Sequence, residues 1–354
     1  MMTVPSVVLR RSTVAAAGVR LSVVVPSCNT AKYLGDALDS VLAQTMEALE
    51  VIVVDDGSTD ESVARALAYE DPRLTVAVQA NHGLAATRNT GVALARAPLV
   101  GFCDADDVWY PTKAERQLAV MEADPSIGLT FSHSAYLDER GVPTGQLLVS
   151  RRRAPTAHDL ARRNHVGNGS TPIARREALI LAGLFDVGLR SCQDVEMWVR
   201  LAATTGLGIR LVPEVLTGYR IREGALTLSF EQFLRCGREI TQRYRTLLPG
   251  FGEAAADRSY AQFLRIASRK AFAAGEVSRS RRYFVEALRL DPLLALRDPR
   301  AFALLGLHLL SLPLPERMRP GVYRAALRVT RLGFAVVLPR SSGATLPHPG
   351  ADRN

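Results

Sequence analysis

Long apolar runs are missing: nowhere in the 354 residues do apolar positions reach the ~20 in a row that a spanning helix needs. A polytopic membrane protein is therefore excluded. Aromatic residues are scarce, at 6 %, but apolar residues make up 47 %, so the chain can build a core and is not disordered throughout. Cysteine is also rare. Cys28, Cys103, Cys192 and Cys236 stand far apart with no CxxC pair, which excludes a disulfide framework and argues for reduced thiols and a cytoplasmic location. No GxGxxG follows the first strand and no GxxxxGK[ST] occurs anywhere, so neither dinucleotide nor P-loop binding is favoured. His82, His133 and His165 lack ligand spacing, and no zinc-finger or RNP-type motif accompanies the basic residues. Nucleic acid is not expected as a partner.

What is present is unevenly charged. Residues 1–139 hold ten Lys and Arg against eighteen Asp and Glu, and residues 140–354 hold thirty-four against seventeen. An acidic half is joined to a basic one. The basic half suits an anionic membrane face, here the inner face of the cytoplasmic membrane, as a peripheral partner.

From Leu21 the pattern is that of alternating strands and helices. LSVVVPS and LEVIVVDD are continuous β-branched runs of the kind buried on both faces of a parallel sheet. Between them AKYLGDALDSVLAQT carries Leu34, Leu38, Val41 and Leu42 at helical spacing, and Ser58, Thr59 and Asp60 can cap a helix over 61–69. A strand at 74–79, a loop and helix in NHGLAATRNTGVALARA, and a strand in PLVGFCDADD follow. IGLTFSHSAYLD predicts a further strand, TPIARREALILAGLF follows, QDVEMWVRLAAT predicts a helix, and IRLVPEVLTGYRI predicts a short strand pair. After about residue 230 the chain reads as helical to about 335. Within it, ASRKAFAAGEVSRSRRYFVEALRLDP resembles one tetratricopeptide-like hairpin turning at Ala274 and Gly275. The apolar segment 301–315, flanked by arginines, reads either as an interfacial helix or as a packing helix.

Two acidic clusters end strands, at the edge where open α/β sheets place their ligand crevice. Carboxylates repel a diphosphate unless a cation lies between them. The DxD formed by Asp104 and Asp106 can offer oxygens to a hard divalent ion, with diphosphate oxygens completing its shell. An exposed acidic turn would account for DAD taken alone. Taken together, SVVVPSCN, VIVVDDGSTD, NHGLAATRNTG and VGFCDADDVW resemble the family 2 glycosyltransferases of the GT-A fold, in order and spacing, over residues 21–225.

The resemblance implies an α/β fold with a doubly wound mixed sheet, a nucleotide-diphosphate sugar donor and a divalent metal, Mn²⁺ or Mg²⁺. It places Pro26, Ser27 and Asn29 at the floor of the nucleoside site, Asp56 against the base, and Arg88 on nucleoside or phosphate. Cys28 stands where the family often has an aromatic. Asp104 and Asp106 match the metal-bearing DxD, with Asp104 also on the donor side. Asp107 reads as a sugar ligand or a cap, and Trp109 as packing or sugar stacking. In FDVGLRSCQDVEMWVRLA, Gln193-Asp194 replaces the family's Glu-Asp pair and keeps the second acid, the family's base position, at Asp194. Glu196 and Trp198 would shape the acceptor side, with packing on the sheet the stronger reading of Trp198. TGYRIREGALT resembles the family's closing segment and would put Tyr219 and Arg220 near the diphosphate.

The expected domains are a leader over 1–20, the GT-A domain over 21–228, a helical extension over 229–337 and a disordered tail over 338–354. The expected activity is inverting, metal-dependent transfer of a sugar to a hydroxyl of a glycan or lipid-linked acceptor. Two alternatives stay open: a non-catalytic nucleotide-sugar binding or scaffold protein, and nucleotidyl transfer on the same fold.

Overall fold

The computed structural model describes residues 6–222 and 230–310. These form two units, residues 6–160 with 164–222, and residues 161–163 with 230–310.

In chain order the first unit runs β1 (Ser6–Arg10), β2 (Leu21–Ser27), α1 (Ala31–Leu42), β3 (Leu49–Asp56), α2 (Ser62–Leu67), β4 (Leu74–Gln79), α3 (Leu84–Leu94), β5 (Leu99–Phe102), β6 (Val108–Trp109), α4 (Lys113–Ala123), β7 (Ile127–Leu137), β8 (Pro143–Leu148), α5 (Ala157–Arg162), β9 (Ile173–Arg175), α6 (Arg176–Leu181), α7 (Gln193–Thr204) and β10 (Gly208–Arg220). The strands form one mixed sheet in the order β1-β4-β3-β2-β5-β9-β7-β10-β6, with β8 added to β7. Its centre, β4-β3-β2-β5, is parallel. Every residue of β2 and β3 is buried, which is why both read as largely apolar, with buried Ser22 donating to buried Glu50 between them. On one side, α1 covers the sheet through Tyr33, Leu34, Ala37, Leu38 and Val41, a stripe at three- and four-residue spacing.

α3 lies directly on β2. A Cβ at Gly91 would stand 2.3 Å from Val24 Cγ1, so only glycine lets the helix approach this closely. Gly91→Ala is expected to cost about 1–3 kcal/mol through overpacking, read as a lower thermal unfolding midpoint. An unchanged midpoint would mean that α3 can lift off the sheet.

Two sequence expectations are corrected here. Residues 6–10, assigned to a leader, form β1, paired antiparallel to β4 from Ser6↔Gln79 to Arg10↔Val76. Arg96 also ties the leader region down, donating to Val14 O and Ser12 Oγ while pairing with buried Glu50. The strand pair expected at 209–221 is the single strand β10, because a register shift between Val212 and Val215 takes up Pro213 and Glu214 without ending the ladder. Residues 173–175, which the sequence pattern does not assign, form β9, which bridges β5 and β7 antiparallel to both.

The second unit is helical: α8 (Phe230–Leu247), α9 (Glu253–Ala273), α10 (Val277–Leu290), α11 (Leu294–Arg297) and α12 (Pro299–Leu310). Its core gathers Leu264, Phe272, Phe284, Ala287, Leu294 and Leu304. α9 and α10 form the expected hairpin, and Gly275 takes φ +81° at the turn. Residues 1–5, 223–229 of the closing segment, 311–315 of the apolar stretch and the tail over 338–354 lie outside the described residues.

Candidate active site

The parallel strands end on one edge of the sheet, and the sequence places Ser27, Asp55, Asp56, Gln79 and, just beyond β5, Asp104 there. Pro26 and Ser27 are buried at the end of β2. Asn29 has φ +52°, and its Oδ1 accepts from the backbone and hydroxyl of Thr59 at 2.8 and 3.2 Å, while its own N–H donates to Ser58 Oγ. The β2 and β3 loops are therefore laced together into one rim. Cys28 is exposed on it, 3.4 Å from Asn81 Nδ2. Partial burial and the charges of Asp56 and Asp55 push its thiol up, so it stays protonated and poorly nucleophilic.

Asp56 is 3 % exposed and already holds three donors: Gln79 Nε2 at 2.7 Å, His82 N at 3.0 Å and Gly83 N at 2.8 Å. A carboxylate offers about four acceptor positions. One is left for a base N–H, and the other three fix the turn that starts α3.

α3 brings Arg88 to the acidic end of β5. Its Nη2 donates to Asp104 Oδ1 at 2.7 Å; the residue is 2 % exposed, and its Nε has no hydrogen-bond partner. Arg88 is therefore not a surface arginine of α3. An orphaned guanidinium N–H in a buried site points to an acceptor that arrives with a ligand.

The three aspartates differ. Asp104 is partly exposed, and its N–H donates to Ser170 Oγ. Asp106 accepts from Arg222 Nε at 2.6 Å; burial and the nearby charge of Asp104 push its carboxyl above the usual range, against the pull of Arg222. Asp107 is buried, accepting from Ser170 Oγ at 2.5 Å and Arg220 N at 3.0 Å, and burial raises its carboxyl well above the ordinary value. It braces the loop and does not face the crevice as a sugar ligand would. Trp109, 2 % exposed with its Nε1 on Ser170 O, is packing.

Among the described residues no three His, Cys, Asp or Glu groups are arranged to hold a metal ion by themselves. Asp104 and Asp106 nevertheless offer hard oxygen donors, crowded enough for one charge to raise the other's pKa. That donor set fits a divalent cation that draws its remaining oxygens from a diphosphate.

Asp194 lies half-buried in the first turn of α7, reached through Cys192 at φ +58°, a left-handed backbone that a non-glycine residue adopts at some cost. Burial pushes its carboxyl up; Arg88 opposes the shift and Asp104 adds to it. Asp194, Arg88 and Asp104 therefore sit within one electrostatic neighbourhood. Glu196 and Trp198, expected on the acceptor side, are 5 % and 2 % exposed. Glu196 forms a two-pronged pair with Arg200, which also donates to Leu184 O, and Trp198 packs on Phe102 and Phe185. Both lie behind the crevice and hold α7 in place.

Arg220 is a brace: it pairs with Asp36 at 2.7 Å and donates to the carbonyls of Asp106 and Glu139. Tyr219 stacks near Tyr136, with its hydroxyl pushed up by burial. Sequence reasoning missed Arg222, Ser170 and Gly169, whose added Cβ would fall 2.3 Å from Arg88 Nη2 and 2.8 Å from Asp104 Oδ2. Lys113, fully buried, was missed too; its Nζ donates to Thr171 O at 2.7 Å and keeps the same loop in register.

A mixed sheet with a parallel centre, an acidic strand end and a helix delivering a carboxylate beside it defines a GT-A-type sugar-nucleotide transferase fold. Residues 22–180 match the family model described as glycosyl transferase family 2. Two uncharacterized glycosyltransferases are similar to the chain: one from Nostoc sp. (strain PCC 7120) is 41 % identical over 31 % of this chain and 35 % of its own length, and one from Rickettsia conorii is 32 % identical over 53 % and 31 %. The chain thus spans about a third of the length of these curated relatives. Among solved structures, S. aureus TarS 1-349 in complex with UDP-GlcNAc aligns with a TM-score of 0.57 at 21 % identity, covering 89 % of this chain and 92 % of that one. The mannosyltransferase PcManGT from Pyrobaculum calidifontis, in complex with GDP-Man and Mn²⁺, aligns at 0.52 and 20 % identity, covering 92 % and 91 %. These likenesses bear on the fold.

Proposed function

We propose that the protein is an inverting glycosyltransferase that moves a sugar from a nucleotide-diphosphate donor to a hydroxyl of a glycan or lipid-linked acceptor, in glycan or polysaccharide synthesis. One observation supports this reading: Arg88 donates to Asp104 just beyond the end of a parallel strand, and both, far from Asp194 in sequence, act electrostatically on its carboxyl, with Asp106 paired to Arg222 in the same acidic turn.

A divalent metal, Mn²⁺ or Mg²⁺, would be held by Asp104 and Asp106 and would neutralise charge on the leaving diphosphate. The rim of Pro26, Ser27 and Asn29 receives the nucleoside, and the last acceptor position of Asp56 takes a base N–H. Arg88 Nε donates to a phosphate or ribose oxygen. Asp194 takes the acceptor hydroxyl's proton as the oxygen bonds to the anomeric carbon and the bond from that carbon to the diphosphate breaks. Attack opposite the leaving group inverts the centre. The basic half suits work at the inner face of the cytoplasmic membrane.

Thermal unfolding with a panel of nucleotide sugars tests the donor, beginning with UDP-GlcNAc and GDP-Man because two proteins of this fold bind them. A true donor at a hundred times its Kd stabilises by about 2.7 kcal/mol in Mn²⁺, and EDTA abolishes the shift. No shift with any nucleotide sugar would overturn the reading, and pyrophosphate as product would replace it with nucleotidyl transfer.

A further inference from the structure

α12 is apolar on two sides. Ala301, Leu304 and His308, at most 5 % exposed, face the core of the second unit, with His308 against Phe272 and Phe284. Phe302 and Leu309 are seven residues apart, hence on one face of the helix, and are 63 % and 56 % exposed. The approach to α12 adds Leu293 at 46 % and Leu296 at 79 %. A packing helix needs one apolar stripe. Scattered exposed leucines are ordinary, but residues 293–309 expose four large apolar side chains within seventeen positions, two of them on one face of α12, more than packing on the unit's core accounts for.

Charge narrows the partner. The acids of residues 287–310, Asp291 and Asp298, are 6 % and 4 % exposed and turned to internal partners: Arg297 for Asp291, Arg265 and the Arg300 N–H for Asp298. Arg289, Arg297 and Arg300 are exposed. The surface is thus apolar with a rim of one sign. An isologous second copy would bring these arginines against their own counterparts. Residues 311–354 hold seven Arg against Glu316 and Asp352, and so bring no counter-charge either. Nucleic acid would answer the arginines but gain nothing from the leucines and phenylalanine.

We propose that Leu293, Leu296, Phe302 and Leu309, rimmed by Arg289, Arg297 and Arg300, dock this unit on an anionic lipid bilayer. The apolar side chains enter the headgroup boundary and the guanidiniums take lipid phosphates. Among the described residues no helix is long and apolar enough to cross a membrane, and this surface would lie on the lipid without spanning it. The inference does not depend on the transfer reaction, because its readout is lipid binding.

The test is flotation of the full chain with vesicles of phosphatidylcholine alone or with phosphatidylglycerol, at low and high salt. The protein rises with the anionic vesicles at low salt. The Leu296→Glu/Phe302→Glu double variant binds at least ~10-fold more weakly, and Arg289→Gln and Arg300→Gln each lose about five-fold. All four side chains are exposed, so unfolding midpoints stay unchanged; if the double variant misfolds, the two arginine variants carry the test. Failure of the wild-type chain to float, equal binding to neutral vesicles at any salt, or full binding by the double variant would each overturn the proposal. A lipid-independent dimer that dissolves on Leu296→Glu would assign the surface to a second copy.

Discussion

Asp194→Asn lowers turnover by about 10²- to 10⁴-fold, the usual effect of a lost general base, while donor-induced stabilisation persists. The substitution is nearly isosteric and keeps the place of residue 194 in the first turn of α7, but an amide cannot take the acceptor's proton. An interaction made only in the transition state is removed, so kcat and kcat/KM fall together with KM for the donor little changed. The pH profile gives a second reading. Burial raises the Asp194 carboxyl above its ordinary value, and Asp104 adds to this while Arg88 opposes it. The base is therefore protonated at a higher pH than a free aspartate, near 4, and the acidic limb of the wild-type profile is displaced upward. In Asp194→Asn that limb disappears from the residual rate. Unchanged turnover would remove Asp194 from the chemistry. Unchanged donor binding with no wild-type turnover on any acceptor would favour a binding or scaffold protein.

The same residue shows what the sequence could reveal and what it could not. The strands β2 to β5 were legible because burial on both faces writes itself as short, largely apolar runs rich in valine, and the acids at the ends of β3 and just beyond β5 mark the strand ends with no help from tertiary structure. α7 was legible from residue spacing, matching Gln193–Thr204. The proximity of Asp194 to Arg88 was not, since it depends on how α7 and α3 are set against β5. β6 has two residues and exists because β10 supplies its antiparallel partner, so no local pattern could announce it. Ser170 and Gly169 lie in a loop of ordinary small residues. Their importance comes from absent volume at Gly169 and from a hydroxyl shared between the Asp104 N–H and the Asp107 carboxylate. Arg222 looked like one arginine among many in the basic half until its Nε was found on Asp106. Glu196 and Trp198 went the other way. The resemblance implied the acceptor side for both, but Glu196, two places on from Asp194, points to the opposite side of the helix and pairs with Arg200, and Trp198, four places on and so near the face of Asp194, is held in the core by Phe102 and Phe185.

Asp106→Asn separates the site's function from its stability, because the two move in opposite directions. In the folded chain the Asp106 carboxyl is raised by burial and by Asp104, more than Arg222 lowers it. A carboxyl raised above its unfolded value binds more protons folded than unfolded, so its ionisation lowers stability as pH rises through the folded pKa. At neutral pH the ionised group is a net cost that a neutral amide does not carry. The ligand-free variant should therefore unfold at the wild-type midpoint or above it. Its donor response should be lost: one of two carboxylates offered to the cation is gone, and the Lewis-acid assistance of several kcal/mol goes with it, a fall in turnover of about 10²-fold or more. The Mn²⁺-dependent thermal shift with the donor should vanish at concentrations that saturate the wild type. Removing the metal from the wild-type chain with EDTA should reproduce the loss of shift without the gain in ligand-free stability. A variant that unfolds early would make Asp106 a structural ion pair with Arg222. One that retains the full Mn²⁺-dependent shift would leave the metal to other ligands, and the proposed role of Asp106 would fall.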